Sequence, residues 1–195
     1  MMKGMSLVEM MVVIAISAMV SGALMSAIRY FYVNNAYVFE AANSVDNARR
    51  GLTVALADLR EASYGDDGAY PIGSAATSSI TFYSDIDSDG GVERVKIWKV
   101  GTTLYKVVTN AGGNPPSYTG QTSATSTIAV YLRNATSTPI FAFYDVNGTQ
   151  LATTSTPIVS IATIGTTLQI DLNPNRAPQI FNLTGSATLR NLRSQ

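Results

Sequence analysis

A short acidic stretch, "SDIDSDGGVE" (residues 84–93), places oxygen ligands at a spacing that suits a hard cation. Three aspartates alternate and Gly90 follows them, which is how a calcium loop of the D-x-D-x-D-G type begins. The twelfth position, where an EF-hand has a bidentate glutamate, is Lys96. The predicted calcium ligands are Asp85, Asp87, Asp89 and, as a substitute at the ninth position, Glu93. The alternative is a solvated Asp/Gly-rich hairpin turn that binds no ion.

Glu9 is a second carboxylate with unusual surroundings. It stands at the head of 19 residues without a charge, Met10 to Ile28, and such a stretch is long enough to cross a bilayer as a helix. A carboxylate in hydrocarbon is costly and usually functional. Either Glu9 has a role in pairing, or it is an ordinary polar residue that reaches the membrane interface from the end of the helix.

The composition narrows the chemistry that the rest of the chain can perform. The 195 residues include no cysteine and no histidine, which excludes disulfides, thiolate metal sites and nucleophile–histidine catalysis. Lys and Arg balance Asp and Glu at 13 each, so a basic footprint for nucleic acid is not expected. No convergent catalytic set is visible, and the sequence predicts a protein that is not an enzyme. The charged fraction of 13% is about half the usual share, which fits burial in a membrane or an assembly.

One long helix, from Met5 to about Ala62, is predicted to position Glu9. Its apolar first half, 5–29, spans the membrane, and its second half, 30–62, has one apolar face. The stripe on that face consists of Phe31, Val38, Val45, Leu52 and Leu59, with Ala41, Ala48 and Ala55 between them. A Gly/Asp-rich segment, 65–68, then ends the helix.

Past Tyr70 the sequence turns to Thr, Ser, Val, Ile and aromatic residues, which predicts a β-rich head over 63–195. The predicted strands are Ser79–Ser84, Val92–Val100, Thr103–Val108, Thr127–Arg133, Ile140–Asp145, Pro157–Ile164, Thr167–Leu172 and Gln179–Arg190. An uncharged Gly/Pro/Ser-rich stretch between Thr109 and Ser126 is predicted to be an exposed loop, suited to partner contact or to variation in length. The predicted fold class is α+β, with a long N-terminal helix packed on a C-terminal antiparallel sheet domain.

The start of the chain, "KGMSLVEMMVVIAI", resembles type IV pilins and type II secretion pseudopilins, in which a short basic leader, a glycine and a hydrophobic residue precede a glutamate. The resemblance implies that residues 1–4 are a leader peptide, that a prepilin peptidase cuts after Gly4 and that the new terminus, Met5, is methylated. Met5 stands where phenylalanine is commonest in the family. Glu9 becomes the fifth mature residue, and its implied partner is the N-terminal amine of a neighbouring subunit in a filament.

The later sequence gives a softer resemblance to J-type minor pseudopilins and PilW-like minor pilins. It rests on "VERVKIWKVGTTLYKVV" (92–108), which looks like their hairpin, and on the ending "ATLRNLR" (187–193). Together the resemblances imply a minor pilin or pseudopilin in the bacterial inner membrane, with a single span and its head outside the cytoplasm, which later enters a periplasmic or extracellular filament. The implied partners are other subunits, the prepilin peptidase and the inner-membrane assembly platform.

A different class of function is also compatible with the sequence. In this alternative, the chain is a single-span membrane-anchored β-domain that binds a ligand or adheres to a surface and never polymerises. The role of Glu9 distinguishes the two, because only a filament gives its carboxylate an intermolecular partner.

Overall fold

The computed structural model describes residues 6–152 and 158–190, and it confirms the predicted α+β class. Backbone contacts divide the chain into two compact units, Met1–Ala42 and Asn43–Gln195. The division falls inside the long helix, so the second unit contains the last part of that helix together with all the described strands.

The helix, α1, spans Leu7–Arg60 and has 54 residues, close to the predicted range. It is long because no proline interrupts it and because Ala, Met and Leu are among the strongest helix formers. After it the chain turns at the predicted Gly/Asp segment, where the Gly68 N–H donates to the Gly65 carbonyl at 2.8 Å.

Between Met10 and Ile28, in the first unit, α1 is apolar on all sides and each residue is exposed. Met19 and Leu24 expose 75% and 59% of their surface, and Phe31 and Val38, the first two members of the predicted stripe, are exposed as well. A helix that is hydrophobic all round has to be covered by lipid or by other helices.

In the second unit the predicted stripe is confirmed. Its buried members are Ala48, Leu52, Ala55 and Leu59, and Val45 is partly buried beside them. Leu56 also lies on this buried face, although it is not one of the residues of the predicted stripe. The reason is that a helix packed on a broad surface buries neighbours at both i+3 and i+4, which gives a wider stripe than a coiled-coil seam.

A five-stranded antiparallel sheet follows the helix, and its strands are neighbours in chain order. They are β1 (Ile72–Ala76), β2 (Ser79–Ser84), β3 (Glu93–Val100), β4 (Thr103–Thr109) and β5 (Ser123–Ala129). In β3, Val95 and Ile97 are buried while Lys96 is exposed, as the alternation of a half-buried strand requires. Tight turns at 87–91 and 100–103 join β2 to β3 and β3 to β4.

A four-stranded antiparallel sheet completes the second unit, in the order β7–β6–β8–β9. Its strands are β6 (Phe141–Tyr144), β7 (Gln150–Leu151), β8 (Thr163–Ile170) and β9 (Phe181–Thr188). The Asn147–Gly148 turn, a dipeptide typical of hairpins, joins β6 to β7.

In the first sheet one predicted strand needs correction and one observed strand was not predicted. The prediction of a strand at Thr127–Arg133 is wrong, because β5 begins at Ser123 and ends at Ala129. Most of β5 is an exposed run of Ser and Thr at the edge of the sheet, so the apolar alternation marks only its buried end. The sequence pattern also does not predict β1, which is rich in Ala and Gly and is held by its pairing with β2.

The second sheet departs from the prediction around β8. The prediction of a strand at Pro157–Ile164 is wrong, because Ile158–Ser160 is a 3-10 turn, and Pro157 itself lies outside the described residues. Thr167–Leu172 is the second half of one longer strand that begins at Thr163. The two-residue β7 carries too little pattern to predict.

The last part of α1 packs on both sheets through two glycines. A Cβ built on Gly51 of the helix would lie 2.5 Å from the backbone oxygen of Ile128 on β5. A Cβ built on Gly185 of β9 would collide with the side chain of Leu56 on the helix. An ion pair adds a polar contact, since the Lys106 ammonium on β4 lies 2.5 Å from an Asp58 carboxylate oxygen, with 12% of each side chain exposed.

Candidate functional site

The first site lies where α1 begins. The Ser6 N–H donates to Glu9 Oε2 at 2.8 Å, and the Glu9 N–H donates to Ser6 Oγ at 3.3 Å. This reciprocal pair is a capping box, in which Ser6 is the N-cap and Glu9 the third helical residue. It satisfies two backbone donors that a helix otherwise leaves without partners. Both side chains are exposed, so the Glu9 carboxylate can also meet a group from outside the chain.

The segment after Glu9 has the length and composition of a membrane span. Among the described residues, α1 is the one helix that is long and apolar enough to cross a bilayer, and its apolar window has no buried residue. The helix continues unbroken through Gly22, whose carbonyl accepts a hydrogen bond from Ser26 Oγ at 2.9 Å. A Cβ at Gly22 would meet nothing within 4 Å.

The second site is the acidic loop between β2 and β3. Asp85, Asp87 and Asp89 bring one carboxylate oxygen each to within 4.8 Å of one another. Backbone N–H groups hold the outer two in place: Ser88 donates to Asp85 at 2.7 Å, and Gly91 donates to Asp89 at 2.7 Å. The tight turn depends on Gly90, which adopts a φ of 90°. The loop therefore gathers three hard oxygen ligands on a backbone that is already ordered.

Glu93, the first residue of β3, lies at the end of this loop. It is only 2% exposed, and its Oε2 accepts a hydrogen bond from the Ile86 N–H at 3.0 Å. Within the described residues its Oε1 has no hydrogen-bond partner. Burial raises the pKa of the Glu93 carboxyl, the Ile86 N–H opposes the rise, and the three aspartates of the loop add to it. A cation at the loop would relieve both the burial cost and the repulsion.

Ser84 is the strand partner of Glu93 and carries an orphaned hydroxyl. The two residues are paired in register, so their side chains lie on the same face of the sheet. Ser84 is fully buried, and its Oγ finds no hydrogen-bond partner in the described part of the chain. A buried hydroxyl without a partner is costly. It therefore marks a buried polar position at the strand pair that closes the acidic loop.

The segment between β4 and β5 supports the base of the acidic loop. The prediction of an exposed loop from Thr109 to Ser126 is wrong for its centre and its end, because Tyr118 is buried and β5 begins at Ser123. The Tyr118 hydroxyl donates to the Val92 carbonyl at 2.5 Å and accepts from the Asp66 N–H at 3.1 Å. Asp66 in turn accepts from the Val92 N–H at 3.2 Å. One tyrosine thus joins three segments of the chain.

The structure brings together three of the four predicted calcium ligands, Asp85, Asp87 and Asp89; Glu93 begins the next strand and is not part of that group. Glu9 lies in a different unit of the chain. Gly4 and Met5, the predicted processing residues, lie outside the described residues. Sequence reasoning missed Ser6, although Ser-x-x-Glu ahead of an apolar run is the signature of a capping box. No comparable signal identifies Ser84 or Tyr118, because their positions depend on strand pairing and on a loop closing over the sheet.

The start of the chain matches a known protein family. Residues 1–25 match the family described as the prokaryotic N-terminal methylation motif. The matched range contains Gly4, Met5 and Glu9, and it supports a type IV pilin-like precursor that a prepilin peptidase processes. No curated protein matches the chain.

Proposed function

We propose that this chain is a structural subunit, a minor pilin or pseudopilin, of a type IV pilus or a type II secretion-like filament. The match of residues 1–25 to the methylation motif carries the proposal. The prepilin peptidase cuts after Gly4, and the mature chain begins at a methylated Met5. N-terminal mass spectrometry of the mature protein is expected to find N-methyl-Met5, and a mature chain that still begins at Met1 would contradict the proposal.

The two units suit the two needs of such a subunit. The first unit offers an apolar helix without buried residues in its span, which fits the membrane before assembly and the core of a helical filament afterwards. The second unit supplies a folded head on two sheets. The partners are other subunits, the peptidase and an inner-membrane assembly platform, and the head lies outside the cytoplasm. The anchored module that never polymerises is the competing function.

Glu9 is the residue on which assembly depends in this proposal. In a water-poor helical core an unpaired carboxylate is strongly penalised, and the free amine of a neighbour's Met5 is the partner that cleavage supplies. A wrong axial stagger leaves both charges unpaired, so the pair sets the register of the subunits. The capping box adds a second role to the same side chain, and a test has to separate the two roles.

Two matched variants separate charge pairing from capping. Glu9→Gln keeps the capping box, since glutamine also serves as its third helical residue, but it removes the charge. Ser6→Ala removes the serine half of the cap, worth about 1 kcal/mol, and keeps the charge. In cells that produce the filament, incorporation is measured in sheared filaments against the amount of subunit in the membrane.

The filament role predicts that Glu9→Gln loses incorporation and that Ser6→Ala largely retains it. The reverse result would assign Glu9 to helix capping alone. Full incorporation of Glu9→Gln, together with normal membrane levels, would favour the anchored module over the filament subunit.

We also propose that the acidic loop binds a calcium ion through Asp85, Asp87, Asp89 and Glu93. The convergence of the three aspartates supports it, together with the buried Glu93 and the orphaned Ser84 hydroxyl at the closing strand pair. The oxygen-only ligand set suits calcium, which takes six to eight oxygen atoms at flexible geometry. The ion would then stabilise the β2–β3 turn rather than take part in a reaction.

Thermal unfolding of the full chain in detergent micelles tests this site. Calcium at about 100 times its dissociation constant is expected to add about 2.7 kcal/mol of stability, whereas the same concentration of magnesium has a smaller effect. Asp87→Asn is expected to weaken the calcium effect, and Asp46→Asn, at an exposed helix position, to leave it unchanged. If millimolar calcium leaves the melting temperature of the wild-type chain where it was, the loop is an empty turn.

A further inference from the structure

The head contains three asparagine sequons of the N-x-Thr type, headed by Asn134, Asn147 and Asn182. Such a sequon is the acceptor sequence for N-linked glycosylation, in which the asparagine carboxamide receives a sugar. The pattern is short and occurs often by chance, so the surroundings of each carboxamide decide whether an enzyme can reach it. The three sequons differ sharply in those surroundings.

The hydrogen bonds of the Asn134 carboxamide exclude it as an acceptor in the folded head. Its Nδ2 donates to the Thr138 carbonyl at 3.2 Å and to the Thr167 carbonyl at 2.9 Å. Its Oδ1 accepts from the Gln169 N–H at 3.0 Å. Both N–H groups of the amide are therefore occupied, and the side chain joins its own loop to β8.

Asn182 is exposed, but it lies inside a paired strand. It is the second residue of β9 and pairs in register with Gln169 of β8, within a ladder that includes all eight residues of each strand. A sequon has to enter the active site of a transferase, and this one could do so only by leaving the sheet. That step would cost the strand pairs around it.

Asn147 lies in the turn between β6 and β7, and residues 146–150 are all exposed. Val146, the residue before it, is 78% exposed, so no apolar side chain anchors the turn to the core. Within the described parts of the chain, neither the Asn147 carboxamide nor the Thr149 hydroxyl has a hydrogen-bond partner. Gly148, with a φ of 79°, permits the tight turn. The acceptor amide and the sequon hydroxyl are therefore both accessible.

Asp145 organises this turn from two residues ahead of the asparagine. Its Oδ1 accepts from the Asn147 N–H and from the Thr149 N–H, each at 2.8 Å. An acidic residue at this position also completes the longer acceptor pattern of bacterial N-glycosylation, which neither of the other two sequons has, since Leu132 and Ile180 stand there. Two residue pairs join β6 to β7, so the turn can open locally without disturbing the rest of the sheet.

We propose that Asn147 is an N-glycosylation site whose sugar comes from an oligosaccharide carried on a lipid pyrophosphate. In the transfer, Asn147 Nδ2 forms a bond to the anomeric carbon of the first sugar, and the bond from that carbon to the phosphate oxygen breaks. The lipid pyrophosphate leaves with the electron pair of that bond, and the amide gives up one proton. The inference rests on the proposed location of the head outside the cytoplasm, next to a membrane that can carry both the donor and the transferase.

Mass spectrometry of the protein purified from the membranes of cells that produce it tests the site. Chymotrypsin cleaves after Tyr144 and Leu151, which gives a peptide of residues 145–151 that contains Asn147 and neither of the other sequon asparagines. We expect this peptide to carry sugar, at an occupancy at least about tenfold above that of Asn134 or Asn182. The N-terminal peptide of the same sample reports on processing at Met5. A bare Asn147 beside a methylated Met5 would therefore overturn the glycosylation site and leave the filament subunit intact.

Variants produced in the same cells test the residues of the turn. Asn147→Gln and Thr149→Val are each expected to abolish the modification, because the first removes the acceptor and the second removes the sequon hydroxyl at nearly constant shape. Asp145→Asn keeps an oxygen for the two backbone N–H groups but removes the charge, and it is expected to lower occupancy at least about tenfold. Asn182→Gln is the matched control and is expected to leave occupancy unchanged. Circular dichroism melting verifies that each variant is folded.

Three outcomes would overturn the proposal. The first is a 145–151 peptide without sugar, whether Asn147 is intact or has been converted to aspartate by deamidation. The second is a sugar occupancy at Asn134 or Asn182 that equals or exceeds the occupancy at Asn147. The third is unchanged occupancy at Asn147 in a folded Thr149→Val variant.

Discussion

The two parts of α1 use similar apolar residues in opposite ways. In the first unit, valine, leucine and methionine cover all sides of the helix and are exposed. In the second unit leucine and alanine lie on one face and are buried against two sheets, while Val54, away from that face, is exposed. The difference shows that hydrophobicity alone does not tell where a helix is used: the polar residues on the remaining sides determine whether its partner is its own head or a membrane and other subunits.

Replacing one leucine by alanine in each part of α1 is expected to give the largest difference in the loss of unfolding free energy. Leu59 is 1% exposed and contacts the core, so Leu59→Ala is expected to lower the free energy of unfolding of the head by about 3–4 kcal/mol. Leu24→Ala is expected to change it by less than about 0.5 kcal/mol. Urea unfolding in detergent micelles, followed by Trp98 fluorescence, measures both. Equal losses would mean that the exposed part also stabilises the head.

Gly22 and Gly51, the two glycines of α1, allow the same comparison between its exposed part and its packed part. Gly51→Ala places a methyl group 2.5 Å from the Ile128 backbone oxygen and is expected to cost about 2–3 kcal/mol through displacement of the helix. Gly22→Ala meets open space and is expected to strengthen the helix by about 1 kcal/mol. The first is measured by urea unfolding and the second by helicity of the micelle-bound chain. A stable Gly51→Ala head would show that the helix–sheet distance is adjustable.

Two ion pairs of the second unit give the smallest of the three contrasts. The Asp58–Lys106 pair joins the helix to β4 and is nearly buried, whereas the Asp46–Arg50 pair lies on the exposed side of the helix. Asp58→Asn is expected to cost about 1–2 kcal/mol, less than for a fully buried pair because some of each side chain remains exposed. Asp46→Asn is expected to cost less than about 0.5 kcal/mol. Similar costs in urea unfolding would contradict the greater contribution expected of the Asp58 pair, which lies on the packed face of the helix.

The helix was the most predictable element, because its signals are local and repeated. Uninterrupted apolar residues, the 3.6-residue stripe and the Gly/Asp stop gave both of its ends within about two residues. Strands β2, β3, β4 and β6 were also predicted close to their observed bounds, where the alternation of apolar residues was clear. Of the edge strands, β9 was predicted to within two residues at each end, as Gln179–Arg190. The edge strands β1, β5 and β7 were not predicted correctly, because they are short or face solvent and carry little apolar pattern.

The same rule holds for the candidate sites: features that are local in sequence were predictable, and features built from distant segments were not. The acidic loop could be identified because its candidate ligands are close in sequence, and the structure brings the carboxylates of Asp85, Asp87 and Asp89 together. The burial of Glu93 and the hydrogen bonds of the Tyr118 hydroxyl depend on segments that are far apart in the chain, such as those of Asp66 and Val92. No local pattern contains that information. The pairing of Trp98 on β3 with Tyr105 on β4 likewise becomes visible only once the strand register is known.

The contacts that the last part of α1 makes with the two sheets have a mechanical consequence. Between Gly51 and Arg60 the helix meets β5, β4 and β9 through Ile128, Lys106 and the carbonyl of Ser186, all within ten residues of one rigid rod. A pull along the rod toward its N-terminus loads these contacts together in shear instead of peeling them one after another. Under tension, therefore, we expect the head to resist as a single unit and to release the helix in one abrupt step.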